Sequence, residues 1–282
     1  MLRKTPFILF ICTLTALLSG CDLALFDPKG PVGDQNSQLL VLSIALLSII
    51  IVPVLFMSIY FPYKYRASNK NAEYKPDWEH STKIELVVWL VPCAIILVLA
   101  IVTYITSHSL DPRKPLGKDE NTLTIQVVAL DWKWLFIYPE EQIASVNELA
   151  MPVNKPVEFL ITSDSVMNSF FIPRLGSQIY AMAGMENRLH LMASEAGVYR
   201  GMSSNYSGFG FSGMKFKTHA LSDEDYHQWL ATVRASGQVL DADRYKALAM
   251  KTKDHPVEYF ADVDPLRFKK IIEKYTGEQN GQ

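Results

Sequence analysis

The chain has 282 residues, with 27 Lys and Arg against 29 Asp and Glu, a formal net charge of −2, and 49% hydrophobic residues. That length accommodates one ordinary domain plus membrane segments, and the near-neutral balance gives no support to nucleic-acid binding, which needs a basic face. The cysteines are Cys12, Cys21 and Cys93, so everything after residue 93 lacks both a disulfide and a thiolate for a metal.

Residues 1–20 read as a targeting segment. Arg3 and Lys4 supply a positive start, residues 6–18 are apolar, and Leu18-Ser19-Gly20-Cys21 follows. The small pair directly before a cysteine resembles a bacterial lipobox. That resemblance implies cleavage before Cys21, palmitate and other lipid on its new N-terminus, and a short outer segment over 21–36. Asp22 resembles an inner-membrane retention signal.

Two apolar stretches come next. Residues 37–60 carry no charge and residues 84–107 carry only Glu85. Each is long enough to cross about 30 Å of hydrocarbon as a helix, the state in which an isolated span satisfies its own backbone. Spans are expected over 37–61 and 84–107, kinked locally by Pro53 and Pro92. The loop over 62–83 holds Lys64, Arg66, Lys70, Lys75 and Lys83, whereas 22–36 has only Lys29 as a base. The positive-inside rule puts that loop in the cytoplasm and both chain ends outside. Lipid added to Cys21 on the outer face agrees.

A polar linker, 108–121, contains two prolines over 111–121. Beyond it, runs rich in β-branched and aromatic residues at 122–130, 134–138, 157–162, 178–181, 188–192 and 214–218 are punctuated by Gly, Pro, Asn and Asp. Such a pattern predicts a β-sandwich over 122–220. Residues 221–282 read as a helical extension. Ser222 with Asp225 starts a helix over 223–236 that stops at Gly237, and further helices are expected over 241–250 and 265–275. The class is therefore a membrane-anchored α+β protein: a two-helix transmembrane hairpin, an outer β-sandwich and a helical C-terminal extension.

The segment MPVNKPVEFLITSDSVMNSFFIPRLGSQIY at 151–180 resembles subunit II of the haem-copper respiratory oxidases, whose matching segment reads roughly PVNxPVxFxxTSxDVxHSFxxPxLG. Leu130-Asp131-Trp132-Lys133-Trp134 is similar to that family's aromatic cluster, and KIELVVW at 83–89 to the start of its second membrane helix. The resemblance covers roughly residues 35–220 and implies a cupredoxin-like sandwich. In the copper-bearing members the loop reads GxCSExCGxxHxxM and holds a binuclear copper centre. Here it reads GMSSNYSGFGFSGM at 201–214. Ser203 and Ser207 stand at the cysteine positions, Asn205 at the glutamate, Phe211 at the loop histidine and Asn168 at the second histidine; only Met214 is kept. Hydroxyls, amides and a phenyl ring do not replace thiolates and imidazoles as copper ligands. The expectation is a loop whose turn is kept by Gly201, Gly208 and Gly210 and packed by Phe209 and Phe211, binding no metal.

The same loss marks the quinol-oxidising branch, cytochrome o type ubiquinol oxidases, which the lipobox and helical extension also resemble. The resemblance implies a non-redox docking and assembly subunit of a proton-pumping, inner-membrane enzyme. Ubiquinol is then the substrate of the complex, a haem-bearing subunit I holds haems and copper, and cytochrome c is not a partner. Tyr180 stands where many relatives carry an acidic docking residue. Glu85 corresponds to the carboxylate at the mouth of the family's K proton channel; the alternative is an interfacial acid near Lys83 or His80. Trp132, Trp134 and Phe136 are expected to pack the sandwich or its face toward subunit I, and His190, His219, His227 and His255 to form no metal site. Two rivals carry their own expectations: a copper-bearing cytochrome c oxidase subunit would hold stoichiometric copper, and a free-standing lipoprotein scaffold would extract alone in mild detergent.

Overall fold

The computed structural model describes residues 23–73, 75–117 and 122–279; the expected signal peptide and Cys21 lie outside the described residues. Two long helices open the chain, α1 (Pro31–Lys64) and α2 (Thr82–Ser109). Both are long and apolar enough to cross a membrane, and their apolar side chains, such as Ile59, Trp89 and Leu97, point outward. Glu85 lies in the first turn of α2. Pro53 and Pro62 sit inside α1 and Pro92 inside α2, with helical structure continuing through them.

Helix α1 starts six residues before the apolar run, at Pro31 in the first turn, where a missing N–H costs nothing. Its polar first turn is held by protein: Gly33 N donates to Leu175 O at 3.0 Å, and Asn36 Nδ2 to Ser177 Oγ at 3.2 Å. A Cβ on Gly30 would stand 2.2 Å from Met192 O. Lys29 pairs with Asp27 and Glu195, and Arg174 with Asp27. The first long helix and the β-domain are thus latched where the helix begins.

The sandwich has a six-stranded and a five-stranded sheet. Its strands are β1 (Leu123–Leu130), β2 (Lys133–Tyr138), β3 (Ile143–Val146), β4 (Glu148–Pro152), β5 (Val157–Ser163), β6 (Asn168–Phe171), β7 (Ile179–Ala181), β8 (Asn187–Leu191), β9 (Gly197–Ser203) and β10 (Lys215–Leu221). After β10 come helix α3 (Asp223–Ala235), β11 (Val239–Leu240), α4 (Ala242–Leu248), β12 (Glu258–Phe260), β13 (Asp262–Val263) and α5 (Arg267–Gln279). The sheet orders are β12-β3-β2-β1-β5-β8 and β4-β10-β9-β6-β7, with β11 and β13 forming a separate pair. Between the sheets lies an aromatic core in which Phe170 stacks on Phe216 at 5.2 Å and Trp134 meets Phe170 edge-on at 5.4 Å.

The extension is less purely helical than its composition predicts. Strand β12 pairs antiparallel with β3 and lengthens the larger sheet beyond residue 220. Helix α4, before β12, and helix α5, after it, both cover the face of that sheet away from the sandwich core. Val128, Leu130, Leu135, Ile137, Ala144 and Val146 form a second core there with Leu240, Tyr245, Leu248, Phe260, Val263, Phe268 and Ile271. This is why every residue of β2 is buried: its two faces belong to two cores. Ser222 and Asp241 cap α3 and α4, accepting from Asp225 N at 3.1 Å and Arg244 N at 2.8 Å. Gly237 takes a φ of 63° just past α3.

Candidate functional site

The loop between β9 and β10 meets the start of β6 beneath the β1–β2 turn. Ser203 closes β9 and Asn168 opens β6; both are buried. Ser203 Oγ donates to Asn168 Oδ1 at 3.1 Å, shares its proton with Asn205 O at 3.3 Å, and accepts from Ser169 N at 3.4 Å. Asn168 Nδ2 donates to Val166 O at 2.9 Å, and Asn205 Nδ2 to Met167 O at 3.1 Å. Ser207 Oγ faces the sulfur of buried Met214 at 4.0 Å. The structure therefore brings Asn168, Ser203, Asn205, Ser207 and Met214 together in one network, with Phe211 beside it edge-on to Tyr206 at 5.6 Å.

Those residues do not fit a copper centre. The hydroxyl and amide groups are committed to one another and to backbone, and Met214 is the single soft donor, a thioether with no thiolate or imidazole beside it. Among the described residues no group of three or more His, Cys, Asp or Glu is placed to hold a metal.

What packs the loop differs in part from expectation. Phe209 is 81% exposed and fills nothing inside. Trp132 does the packing instead. Its indole Nε1 donates to Ser207 O at 3.0 Å, and a Cβ on Gly210 would stand 2.3 Å from the indole ring. Trp132 has a φ of 66°, a region costly for a bulky side chain. The hydrogen bond and the two glycines against its ring hold it there. Gly208, with a φ of 110°, does serve the turn. Gly201 does not: it lies in β9 opposite Phe216, and a Cβ there would be 2.1 Å from that ring. Trp134 and Phe136 are fully buried in the sandwich core.

The remaining candidates are dispersed. Glu85 Oε1 lies 2.6 Å from His80 Nδ1, both well exposed. Cys93 is an outward-facing free thiol on α2, and Tyr180 is half-exposed on β7. His190, His219 and His255 each face a glutamate, at 3.7, 3.4 and 3.0 Å, while His227 lies on α3.

Three charged residues, Asp164 and Lys133 with buried side chains and Glu148 partly buried, escaped sequence reasoning, and all three bind the extension to the sandwich. Asp164 receives the hydroxyls of Tyr245 at 2.7 Å and Tyr275 at 2.8 Å, and pairs with Lys274 at 2.7 Å, while its own side chain is 3% exposed. Burial, with the Asp164 carboxylate beside it, raises the Tyr245 hydroxyl far above the phenol range. Glu148 Oε1 receives Trp229 Nε1 at 3.1 Å and the Tyr259 hydroxyl. Lys133 Nζ donates to Leu248 O at 2.6 Å and Met250 O at 2.7 Å, a cation on the last carbonyl of α4 and on one just beyond its cap. Burial lowers the Lys133 ammonium from its ordinary value. Their common signal was a charged residue inside a strongly apolar or β-rich run, which is rarely buried unless paired.

Two family models match the part of the chain that follows the two long helices. Residues 138–220 match the family model "Cytochrome C oxidase subunit II, periplasmic domain", and residues 234–279 match "COX Aromatic Rich Motif". The second spans α4, β12 and α5, where the clasping tyrosines lie. The chain is 52% identical over 266 residues to a cytochrome bo(3) ubiquinol oxidase subunit 2 of Pseudomonas putida, covering 94% of this chain and 85% of that one. It is 56% identical over 261 residues to a ubiquinol oxidase subunit 2 of Acetobacter aceti, covering 92% and 85%. A quinol oxidase subunit 2 of Bacillus subtilis is 34% identical over 275 residues, covering 96% and 83%. With two membrane-length helices, a cupredoxin-like sandwich and a loop without copper donors, this chain belongs to the subunit II family of the ubiquinol oxidases, as a membrane-anchored component of an oxidoreductase complex.

Proposed function

We propose that this chain is the non-redox docking and assembly subunit of a proton-pumping oxidase that passes electrons from ubiquinol to oxygen. The observation that carries the reading is the closed hydroxyl–amide network of Ser203, Asn168 and Asn205, which occupies the copper positions without a soft donor pair. Ubiquinol is apolar and reaches its oxidase through the bilayer, so its electrons need no outer relay. Haems and oxygen-reducing copper then belong to a haem-bearing subunit I, against which this chain docks within the bacterial inner membrane. Cys21 carries the lipid anchor, residues 62–83 face the cytoplasm, and the sandwich faces the periplasm. The domain division is that of the sequence, from 21–36 outside to 221–282 as the extension.

Glu85 is the candidate carboxylate for proton entry, lying in the first turn of the second span. The ion pair with His80 at 2.6 Å supports a second reading, an interfacial acid held by its neighbour.

The test is purification of the full chain by an affinity tag in mild detergent. Co-purifying haem protein with quinol oxidase activity is expected. A chain that elutes without haem would overturn the assignment, and a mixed-valence dinuclear copper signal by electron paramagnetic resonance would restore the copper-bearing alternative.

A further inference from the structure

The C-terminal end of α1 carries a ring of aromatic side chains. Tyr60, Phe61, Tyr63 and Tyr65 are exposed, as is Trp78 across the connection to α2. Aromatic residues of this kind settle at the headgroup level of a bilayer. Interleaved with them are two cations. Lys64 Nζ lies 5.5 Å from the centroid of the Tyr60 ring and 5.3 Å from that of Tyr65, and the Arg66 guanidinium lies 4.3 Å from Tyr63. Among the described residues neither is paired with a carboxylate; the nearby Glu73 pairs with Lys75 at 3.2 Å. Arg66 Nη1 donates to Tyr63 O at 3.0 Å and Asn69 Nδ2 to Lys64 O at 2.6 Å. Two of the terminal carbonyls of α1 are therefore taken up by donors from the chain itself. Phe61, Lys64, Tyr65, Glu73, Lys75 and Trp78 line an open cleft of about 620 Å³, within the range of ligand sites; Tyr60 and Arg66 lie on the collar outside that lining.

We propose that this collar binds the headgroup of an anionic phospholipid, with Lys64 and Arg66 on the phosphodiester and Tyr60, Phe61 and Trp78 against the glycerol and upper acyl chain. The cations keep their charge available because their partners are neutral: π faces for both, with the Tyr63 carbonyl and the Ser68 hydroxyl on Arg66. The ligand is a lipid and not a free anion because the helix surface leading away from the collar is apolar: Leu55, Phe56 and Ile59 are exposed and give an acyl chain a continuous track. A free anion would meet only solvent-exposed cations, whose pull is screened within about 8 Å at physiological salt. The proposal rests on α1 and α2 spanning the membrane.

Native mass spectrometry of the tagged full chain, with whatever subunits accompany it, tests this by titration with phosphatidylglycerol or phosphatidylcholine. Wild type is expected to retain phosphatidylglycerol preferentially. The double substitution Lys64→Gln, Arg66→Gln should weaken that binding about thirtyfold, at the strength typical of two interfacial cations, and leave phosphatidylcholine unchanged. Equal binding of both lipids to wild type, or wild-type affinity in the double variant, overturns the proposal. Displacement by inorganic phosphate overturns it in favour of a free-anion site. Should the variant not accumulate, quenching of wild-type fluorescence by brominated phosphatidylglycerol decides. An excess of quenching over that by brominated phosphatidylcholine, abolished in Trp78→Phe, supports the site; equal quenching by the two lipids, or an excess that survives in Trp78→Phe, overturns it. Absence of co-purifying haem would overturn the oxidase assignment while leaving this lipid readout intact.

Discussion

The hydroxyl of Tyr275 donates to the carboxylate of Asp164 at 2.8 Å, tying the last helix to the turn between β5 and β6 across 111 positions of chain. Tyr245 reaches the other carboxylate oxygen from α4. One buried acid thus fastens both helices of the extension, and only the lysine of its ion pair is largely exposed. Asp164→Asn keeps the shape but removes the charge from two hydrogen bonds, so a loss of about 2–4 kcal/mol is expected. Tyr275→Phe should cost about 1–2 kcal/mol, and Lys274→Ala less than about 1 kcal/mol because its ammonium is in water. Thermal unfolding gives the order, and limited proteolysis should show the extension released first in Asp164→Asn. An order with Lys274→Ala worst would mean that the ion pair, not the tyrosines, holds the extension.

Lys133 presents the opposite balance. Its ammonium is buried, which costs free energy, yet it closes the carbonyl end of α4 with two short hydrogen bonds. Lys133→Met relieves the desolvation but strands two carbonyls. A net destabilisation of about 1–3 kcal/mol is expected, the range for orphaned buried polar groups. Denaturant unfolding of the purified subunit complex measures it. A stabilised variant would show that burying the charge outweighs its bonds.

The two membrane-length helices were legible because an unbroken apolar run has one structural solution in lipid. The first helix was read too short because its polar first turn, held by Leu175 and Ser177, carries no hydrophobic signal. Strands β1, β2, β5, β7, β8 and β10 announced themselves through β-branched and aromatic runs. β3, β4, β6 and β9 did not: three have four or five residues, and β9 is interrupted by Gly201, whose place is dictated by Phe216 on a neighbouring strand. β12 was hidden for the same reason, since three residues, Glu258, Tyr259 and Phe260, become a strand only by pairing with β3. At the loop, the donor loss was readable residue by residue. That Trp132 packs against the sandwich was also readable; its hold on the loop was not, since that depends on a left-handed backbone and a contact 75 positions away.

His255 makes the β-domain sensitive to acid. Burial, reinforced by the nearby Lys133 cation, holds its imidazole below the ordinary value of 6.5. With the folded value depressed, the unfolded chain takes up the proton first. Stability is unaffected above about pH 6.5 and falls as pH drops below it. His255→Asn should flatten that limb of the stability curve, read by thermal unfolding between about pH 7 and pH 5, just around the imidazole range. An unchanged acid limb would assign the effect to other groups.

The hydroxyl network at the loop predicts a separation of stability from turnover. Ser203→Ala removes the donor to Asn168 Oδ1 and leaves a buried amide oxygen short of a partner, at a cost of about 1–2 kcal/mol. Gly210→Ala drives a methyl into the Trp132 indole and should cost about 1–3 kcal/mol, as overpacking does. Both variants should keep quinol oxidase turnover per haem at the wild-type level wherever the complex assembles. Turnover lost in an assembled, haem-replete Ser203→Ala complex would place electron or proton traffic at this loop.

Glu85 separates a proton donor from a structural acid. Its carboxylate lies 2.6 Å from His80 and is open to solvent. If protons enter there, Glu85→Gln should slow quinol oxidation about threefold to tenfold. That is less than the ~10²–10⁴ of an acid at the reacting atoms, because water offers parallel routes at a channel mouth. His80→Asn should leave turnover near wild type, since removing the partner frees the carboxylate. If the pair is only an interfacial anchor, both variants should alter assembly yield equally and neither should alter turnover per haem. Oxygen uptake and proton release by reconstituted complexes distinguish the two, and full turnover with full pumping in Glu85→Gln rejects the proton-entry role.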